Sequence, residues 1–292
     1  MLRKPKPLSP NGKSVVITGA SSGLGRAAAV HLERIGFRVF AAVRRPEDGK
    51  KLLADARYDR ISPIFLDVTK PDEIRSAADE VSAAVGSSGL WGLVNNAGIS
   101  VPAPLECLPA EQLRLQLEIN LVGQLAVIQA FLPQLRARRG RIVNVTSGLG
   151  RIALPYLGAY AASQFAKEGM SDALRRELAP FGVSVSVVQP GAIRTPIWEK
   201  MASAGRDIMA TAQRRDLYRG SFDRFLAINA HQLEVCRTTP DDFAVVVAEA
   251  LTAQRPRTRY PVGADMRRTR VLTRLLSDSA LDKRLSPLVS TD

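Results

Sequence analysis

The chain has 292 residues, 46% of them hydrophobic, enough to enclose a substantial core in one domain or in one domain with an appendage. Its two cysteines, Cys107 and Cys236, lack metal-ligand spacing and an identifiable histidine partner. This argues against a disulfide framework and thiol catalysis, and favours a reduced, cytoplasmic setting. A net charge of +13 would draw phosphorylated cofactors or an anionic membrane surface, but 5% aromatic content without a base-reading motif argues against specific nucleic-acid recognition.

Residues 1–11 read as a basic, proline-rich tail without an apolar signal segment, and no stretch reads as the ~18 apolar residues a membrane span needs. Residues 14–18 form a short apolar strand candidate running into a glycine-rich turn, Gly19 to Gly25, and then into good helical sequence over 26–33. A second buried strand at 37–43 ends on Arg44 and Arg45, which completes a βαβ unit. Further strands are expected at 61–68, 90–94, 141–145 and 183–188, with a short late one near 260–263. Helices are expected at 71–85, at 110–136 with a bend or end at Pro133, and from Leu157 or Gly158 to about Leu178.

The alternation predicts an α/β fold: one Rossmann-type, doubly wound parallel sheet with helices on both faces. It stops between 192 and 239, where mixed apolar, basic and aromatic sequence suits either a substrate lid or an extra surface helix pair. The resulting division is the tail, a main α/β domain over 12–266 that includes the interval 192–239, and a C-terminal helical extension over 267–292. An amphipathic helix around 271–285 would present Leu272, Leu275, Leu276 and Leu281 for packing, a second subunit or a membrane surface. Two arginine clusters read as solvated surface: Arg136, Arg138, Arg139 and Arg141, then Arg255, Arg257, Arg259, Arg267, Arg268, Arg270 and Arg274. His31 and His231 have no paired-ligand context, so no metal site is expected.

Small residues in Thr18-Gly19-Ala20-Ser21-Ser22-Gly23-Leu24-Gly25 allow a tight turn and close backbone approach, while the following helix N-terminus offers donors and positive potential to a pyrophosphate. The second strand ends without an acid, and Arg44, assisted by Arg45, suits a 2′-phosphate. That points to NADP(H), with NAD(H) as the alternative.

The glycine turn resembles that of the short-chain dehydrogenase/reductase family, and other elements match in order from about residue 12 to residue 264. Asp67-Val68 is similar to the family's adenine-contacting element, and Asn95-Asn96-Ala97-Gly98 to the segment after its fourth strand. Asn120 lies in a matching Asn120-Leu121-Val122-Gly123 element, Ser147 stands thirteen residues before Tyr160, and Pro190-Gly191 follows the sixth strand. The resemblance implies a cofactor site drawn from Gly19, Ser21, Ser22, Gly23, Leu24, Gly25, Arg44, Arg45, Asp67, Val68, Asn96, Ala97, Gly98, Tyr160, Gln164, Pro190, Gly191, Ile193 and Thr195. It also implies a homodimer or homotetramer.

By the same resemblance, Tyr160 exchanges a proton with the substrate oxygen, Ser147 holds that oxygen and Asn120 belongs to the proton route. A phenol titrates near about 10, so such a tyrosine needs help from its surroundings. The family places a lysine four residues on; here the residue is Gln164, which hydrogen-bonds but carries no charge. Lys167 is seven residues on, about 10.5 Å along an ideal helix, and reads as a surface residue. Gln164 is thus compatible with a compensated enzyme, an inactivated variant, or a catalytically impaired, nucleotide-responsive binding or regulatory protein.

The segments around Val39–Ala42, Phe165–Met170 and Arg175–Leu178 resemble the retinol and hydroxysteroid branch of the family. Ile197, Trp198, Met201, Ile208 and Met209 in the lid either cover an apolar ligand or fill the lid's own core. The expected substrate is a bulky hydrophobic ketone, aldehyde or alcohol, with a small or polyketide-like carbonyl as the other reading. The expected setting is cytoplasmic, with peripheral membrane contact left open.

Overall fold

The computed structural model describes residues 6–288, so residues 1–5 and 289–292 of the two expected terminal segments lie outside the described residues, as does the side chain of Arg267. Seven parallel strands form one sheet in the order β3-β2-β1-β4-β5-β6-β7. They are β1 (Ser14–Ile17), β2 (Arg38–Val43), β3 (Ile61–Phe65), β4 (Gly92–Asn95), β5 (Arg141–Val145), β6 (Ser184–Pro190) and β7 (Arg259–Val262). Every residue of β1, β4 and β5 is buried, as expected for central strands covered on both faces. The order reverses between β1 and β4, and in such sheets the crevice beyond the strand C-termini at that point receives the ligand.

Two apolar cores flank the sheet. On one face α1 (Gly23–Arg34), α2 (Pro46–Leu53) and α9 (Pro240–Thr252) pack through Ala28, Leu32, Leu52, Phe243, Val247 and Leu251. On the other, α3 (Pro71–Val85), α5 (Gly123–Arg138) and α6 (Gly158–Leu178) pack through residues such as Ile74, Val81, Phe131 and Leu174. Neither α2 nor α9 was expected. Helix α2 starts with Pro46, Glu47 and Asp48 and ends with Lys50 and Lys51, an order favoured by the helix dipole. Helix α9 opens on a reciprocal capping box between Thr239 and Asp242.

The expected helix over 110–136 is interrupted elsewhere than at Pro133. Helix α4 (Ala110–Leu117) passes through a π-turn, Glu118–Val122, into α5, which continues past Pro133 to Arg138. Pro133 is exposed, so the carbonyl it leaves without a donor can be hydrated. The whole run Ala110–Arg138 is long and apolar enough to cross a membrane by length and composition alone, which the reading of the sequence did not anticipate. Its Val127, Ile128, Phe131 and Leu135 pack into the core beneath the sheet.

The interval 192–239 contains a helix pair, α7 (Ile197–Thr211) and α8 (Arg215–Val235). Its inner face is apolar: Met201, Phe222 and Phe225 pack with Tyr156 and Leu157, against which Tyr160 and Trp198 also lie. The expected helix over 271–285 is instead two, α10 (Ala264–Leu275) and α11 (Asp278–Leu285), divided where the Ser277 side chain caps α11 by accepting from Ala280 N–H. Leu275, expected to pack, is exposed.

Two arginines read as surface are structural. Arg141 is buried and donates to the carbonyls of Ala250 and Ala253 at 2.8 and 2.6 Å, tying β5 to α9. Arg259 donates to Glu168 at 2.8 Å and to Asp172 at 2.9 Å. The buried Glu168 also accepts from Thr146 and Gln189, each at 2.8 Å, and from Arg151 at 3.2 Å, so one carboxylate links α6 with β5, β6 and β7.

Candidate active site

The glycine turn sits where β1 gives way to α1. Gly19 has φ +66° and a Cβ there would stand 2.9 Å from Ala97 Cα; Gly23 has φ +54°. A Cβ on Gly25 would meet the Gly19 carbonyl oxygen at 2.3 Å, so only glycine lets α1 start this close to the turn. The Ser22 side chain makes no capping bond and the first turn of α1 has no acid, which leaves its donors facing outward past Ser21, Ser22 and Leu24.

Thr18 joins this turn to the end of β4. Its hydroxyl oxygen accepts from the backbone N–H groups of Asn96 and Ala97, both at 3.0 Å, and the Asn96 amide donates to the carbonyls of Thr18 and Gly19 at 3.0 and 3.2 Å. Thr195 lies against Gly23, 3.2 Å from where a Cβ would be, and the buried Ile193 accepts a 2.8 Å bond from the Trp198 indole at its carbonyl. Behind them, Gly191 leaves space for Asp265, whose carboxylate accepts from Ala192 N–H at 2.8 Å; Pro190 ends β6.

At the other end of the crevice, Asp67 accepts from the Thr69 N–H at 2.9 Å and hydroxyl at 2.8 Å, and stands 3.9 Å from the exposed Arg44 guanidinium. Burial works to raise its pKa, but the Thr69 donors and then Arg44 and Lys70 outweigh it and hold the group below the usual carboxylate range. Val68 is buried beside it. Arg45, the N-cap residue before α2, follows Arg44 and is exposed.

These residues fit a dinucleotide: a turn that excludes side chains, a helix start with unengaged donors, and a guanidinium at the end of β2. They frame one crevice at the sheet's switch point.

The reactive end is built from three elements. Tyr160, in the first turn of α6, carries its hydroxyl within hydrogen-bonding reach of Ser147, which follows β5 and also accepts from Leu149 N–H at 3.2 Å. Burial raises the Tyr160 pKa and the Ser147 contact offsets this in part. Asn120, buried in the π-turn, clasps both backbone groups of Ile99: its Oδ1 accepts from the N–H and its Nδ2 donates to the carbonyl, each at 2.9 Å. Its other amide hydrogen goes to Ser163 Oγ at 3.1 Å, so the side chain holds the Ile99 and Ser163 positions fixed. Gly98 comes close to the same amide, 3.2 Å from where its Cβ would meet Oδ1.

Gln164 is buried; its Nε2 donates weakly to Ser163 Oγ at 3.4 Å and its Oε1 has no hydrogen-bond partner among the described residues. Lys167, expected at the surface, is 1% exposed. Its Nζ donates to the Val145 carbonyl at 2.6 Å and the Asn95 carbonyl at 3.5 Å, at the C-terminal ends of β5 and β4. Burial lowers its pKa to about 7, against a smaller upward pull from Glu168. Lys167 and the Glu168 network are the parts of the site's surroundings that reading the sequence missed. A signal existed, because residues 160, 164, 167 and 171 recur at helical spacing on one face.

Fold and site define an α/β oxidoreductase of the nicotinamide-dinucleotide type. The short chain dehydrogenase family model matches residues 13–205, and the chain belongs to that family. It is 44% identical over 273 residues to 3-amino-tetrahydro-pyrrolizinone reductase from Xenorhabdus hominickii, covering 93% of this chain and 94% of the relative. It is 39% identical over 261 residues to retinol dehydrogenase 7 from Mus musculus, covering 87% and 81%. Among solved structures, a short chain dehydrogenase from Burkholderia cenocepacia J2315 in complex with NADP superposes with a TM-score of 0.72 at 27% identity, covering 95% of this chain and 99% of that one.

Proposed function

We propose that this chain is an NADP(H)-dependent reductase of bulky hydrophobic ketones or aldehydes. The observation that carries the reading is the Tyr160–Ser147 pair beneath an apolar roof made by Tyr156, Met201, Phe222 and Phe225. A roof of that kind excludes water and favours a substrate with a large apolar body and one polar oxygen.

The bound nicotinamide supplies the hydride, or takes it up in the reverse direction. The protein's part is the proton and the oxygen. Because burial holds Tyr160 above its ordinary pKa, the phenol is protonated at neutral pH and suited to donating to a carbonyl oxygen as charge builds there. The Ser147 hydroxyl gives that oxygen a second hydrogen bond. Asn120 keeps Ile99 and Ser163 in register with Tyr160, and Gln164 offers uncharged amide groups beside them. Arg44, Arg45, Asp67, Val68, Asn96, Ala97, Gly98, Gly191 and Thr195 would line the dinucleotide. No acid stands at the end of β2, and Arg44 there supports the phosphorylated cofactor over NAD(H).

The substrate class is supported by the apolar roof and by relatives named for a pyrrolizinone and for retinol. We place the enzyme in the cytoplasm as a homo-oligomer of two or four chains. Steady-state and stopped-flow assays with NADPH and NADH against a graded ketone and aldehyde panel test the proposal. Turnover with NADPH that rises with apolar bulk is expected. Dinucleotide binding without turnover on any carbonyl would leave the binding-protein reading instead.

A further inference from the structure

The helix pair between 192 and 239 is held at its roots, along α7 and at its far corner. The roots lie side by side: Ala192 N–H donates to Asp265 at 2.8 Å, and Cys236 Sγ donates to the Ala192 carbonyl at 2.8 Å. Helix α7 is seated by apolar contact, with Ile208 packed on Val101 and Ala103, and with Gly205 so close that a Cβ there would stand 2.9 Å from Pro102 Cγ. Helix α8 begins at the far corner, about 20 Å from the roots by the length of α7. There Glu106 accepts from the Tyr218 hydroxyl at 2.7 Å and faces the Arg214 guanidinium at 3.0 Å.

Glu106 is itself anchored to the body of the domain. Its turn closes through Cys107 N–H to the Pro104 carbonyl at 2.9 Å, and Ala103 N–H donates to the Tyr156 carbonyl at 2.9 Å. Tyr156 has φ +65°, a left-handed conformation that a bulky residue adopts only where its surroundings impose it. Its ring meets Phe222 and Phe225 of α8 edge-on, with centroids 5.6 and 5.2 Å apart. Tyr218 packs on the same apolar cluster as Tyr160, so its ring belongs to the roof while its hydroxyl reaches Glu106.

We infer that Glu106 is a positioning residue that sets the outer wall of the substrate site: by holding the Tyr218 hydroxyl it keeps α8 down on the roof, and so determines how firmly a substrate with a large apolar body is retained. The substrate it names rests on the reductase reading; the hold on α8 does not. The two partners of Glu106 differ in worth. The Arg214 pair is exposed on both sides, 68% and 39%, and such pairs contribute little against water and salt. The Tyr218 bond joins a charged acceptor to a ring already fixed by packing, so little freedom is lost in making it. The same bond holds the Tyr218 pKa above the ordinary phenol value and keeps the hydroxyl a donor.

The test compares the full chain with E106A, E106Q, Y218F and R214A. The first readout is hydrogen exchange by mass spectrometry over residues 212–222, taken without cofactor or substrate. E106A and Y218F should speed exchange there about fivefold or more, with residues 197–208 affected much less. E106Q keeps an acceptor for the hydroxyl and should fall between them and the parent, and R214A should stay within about twofold of the parent. The second readout is steady-state reduction of a bulky apolar ketone and of a small one with NADPH. In E106A and Y218F the ratio of kcat/KM, bulky over small, should fall about fivefold or more, carried by KM rather than kcat. Unchanged exchange over 212–222 in E106A and Y218F overturns the inference, as does an effect of R214A larger than that of Y218F. An equal loss on both ketones also overturns it, since a merely structural effect does not sort substrates by size. Faster exchange in a chain that reduces no carbonyl sinks the reductase reading and leaves the hold of Glu106 on α8 standing.

Discussion

The Thr18 hydroxyl oxygen receives two backbone N–H groups at 3.0 Å, those of Asn96 and Ala97, and by doing so locks the end of β4 to the glycine turn after β1. Thr18 is fully buried, so Thr18→Val would keep shape and strand a pair of donors. We expect a loss of about 2 kcal/mol in denaturant unfolding, at roughly 1 kcal/mol per unmade bond. Dinucleotide affinity by calorimetry should weaken as well, because the turn loses its tether.

Tyr160→Phe should reduce turnover by about 10²–10⁴-fold while dinucleotide affinity stays within a few-fold, since only the proton donor is lost. Ser147→Ala should cost about 10²-fold in kcat by removing one hydrogen bond to the developing charge. Equal loss of cofactor binding in either variant would place these residues at the nucleotide rather than at the reacting oxygen.

Arg44 is exposed and its guanidinium is 3.9 Å from Asp67. Arg44→Ala should raise the KM for NADPH by about tenfold or more, a charge-assisted pair to phosphate being worth about 1.5–3 kcal/mol, and leave that for NADH nearly unchanged. The same substitution relieves Asp67 of a neighbouring cation, so its carboxyl should titrate closer to the ordinary value. Salt titration of the KM for NADPH supplies a second check, steep in the parent and shallow in the variant.

Lys167 makes stability depend on pH with a definite sign. Its folded pKa, about 7, lies below the ordinary lysine value, so between about 7 and 10.5 the unfolded chain binds the extra proton and stability rises with pH. Below about 7 both states are protonated and the burial penalty is at its full size. Lys167→Met should therefore stabilise the chain at neutral and acid pH by a few kcal/mol at the order-of-magnitude level, and flatten the rise. Above about 10 Tyr160 works the other way: its raised pKa keeps the folded state protonated while the unfolded phenol ionises, so stability falls. Urea melts check both slopes, from about pH 6 to about pH 10 for Lys167 and on to about pH 11.5 for Tyr160.

The parallel sheet could be read from the sequence because strands buried on both faces appear as unbroken apolar runs, such as residues 15–17 and 39–43. The glycine turn could be read because steric demands there admit little else. Charged side chains misled. Arg141, Arg259 and Lys167 carry the composition of surface, yet each is removed from water by carbonyls or carboxylates that lie far away in the chain. A helix pair was one of two readings of the mixed sequence over 192–239, and the recurrence of Ile197, Met201 and Ile208 at helical spacing is the signal that favours it in the first member. The division at Ser277 and the π-turn at Asn120 depend on single residues whose effect becomes visible only against their neighbours.

The π-turn also has a consequence for how this enzyme can change over time. One added residue turns everything downstream by about 100°, so a single continuous rod shows different sides to different neighbours. Gln116 before it holds Val101 N–H at 2.7 Å, and Asn120 within it holds Ile99 at 2.9 Å. Removing a single codon between these two grips would swing one of them off the 99–101 segment, which makes this stretch tolerant of substitution at its exposed positions but closed to changes of length.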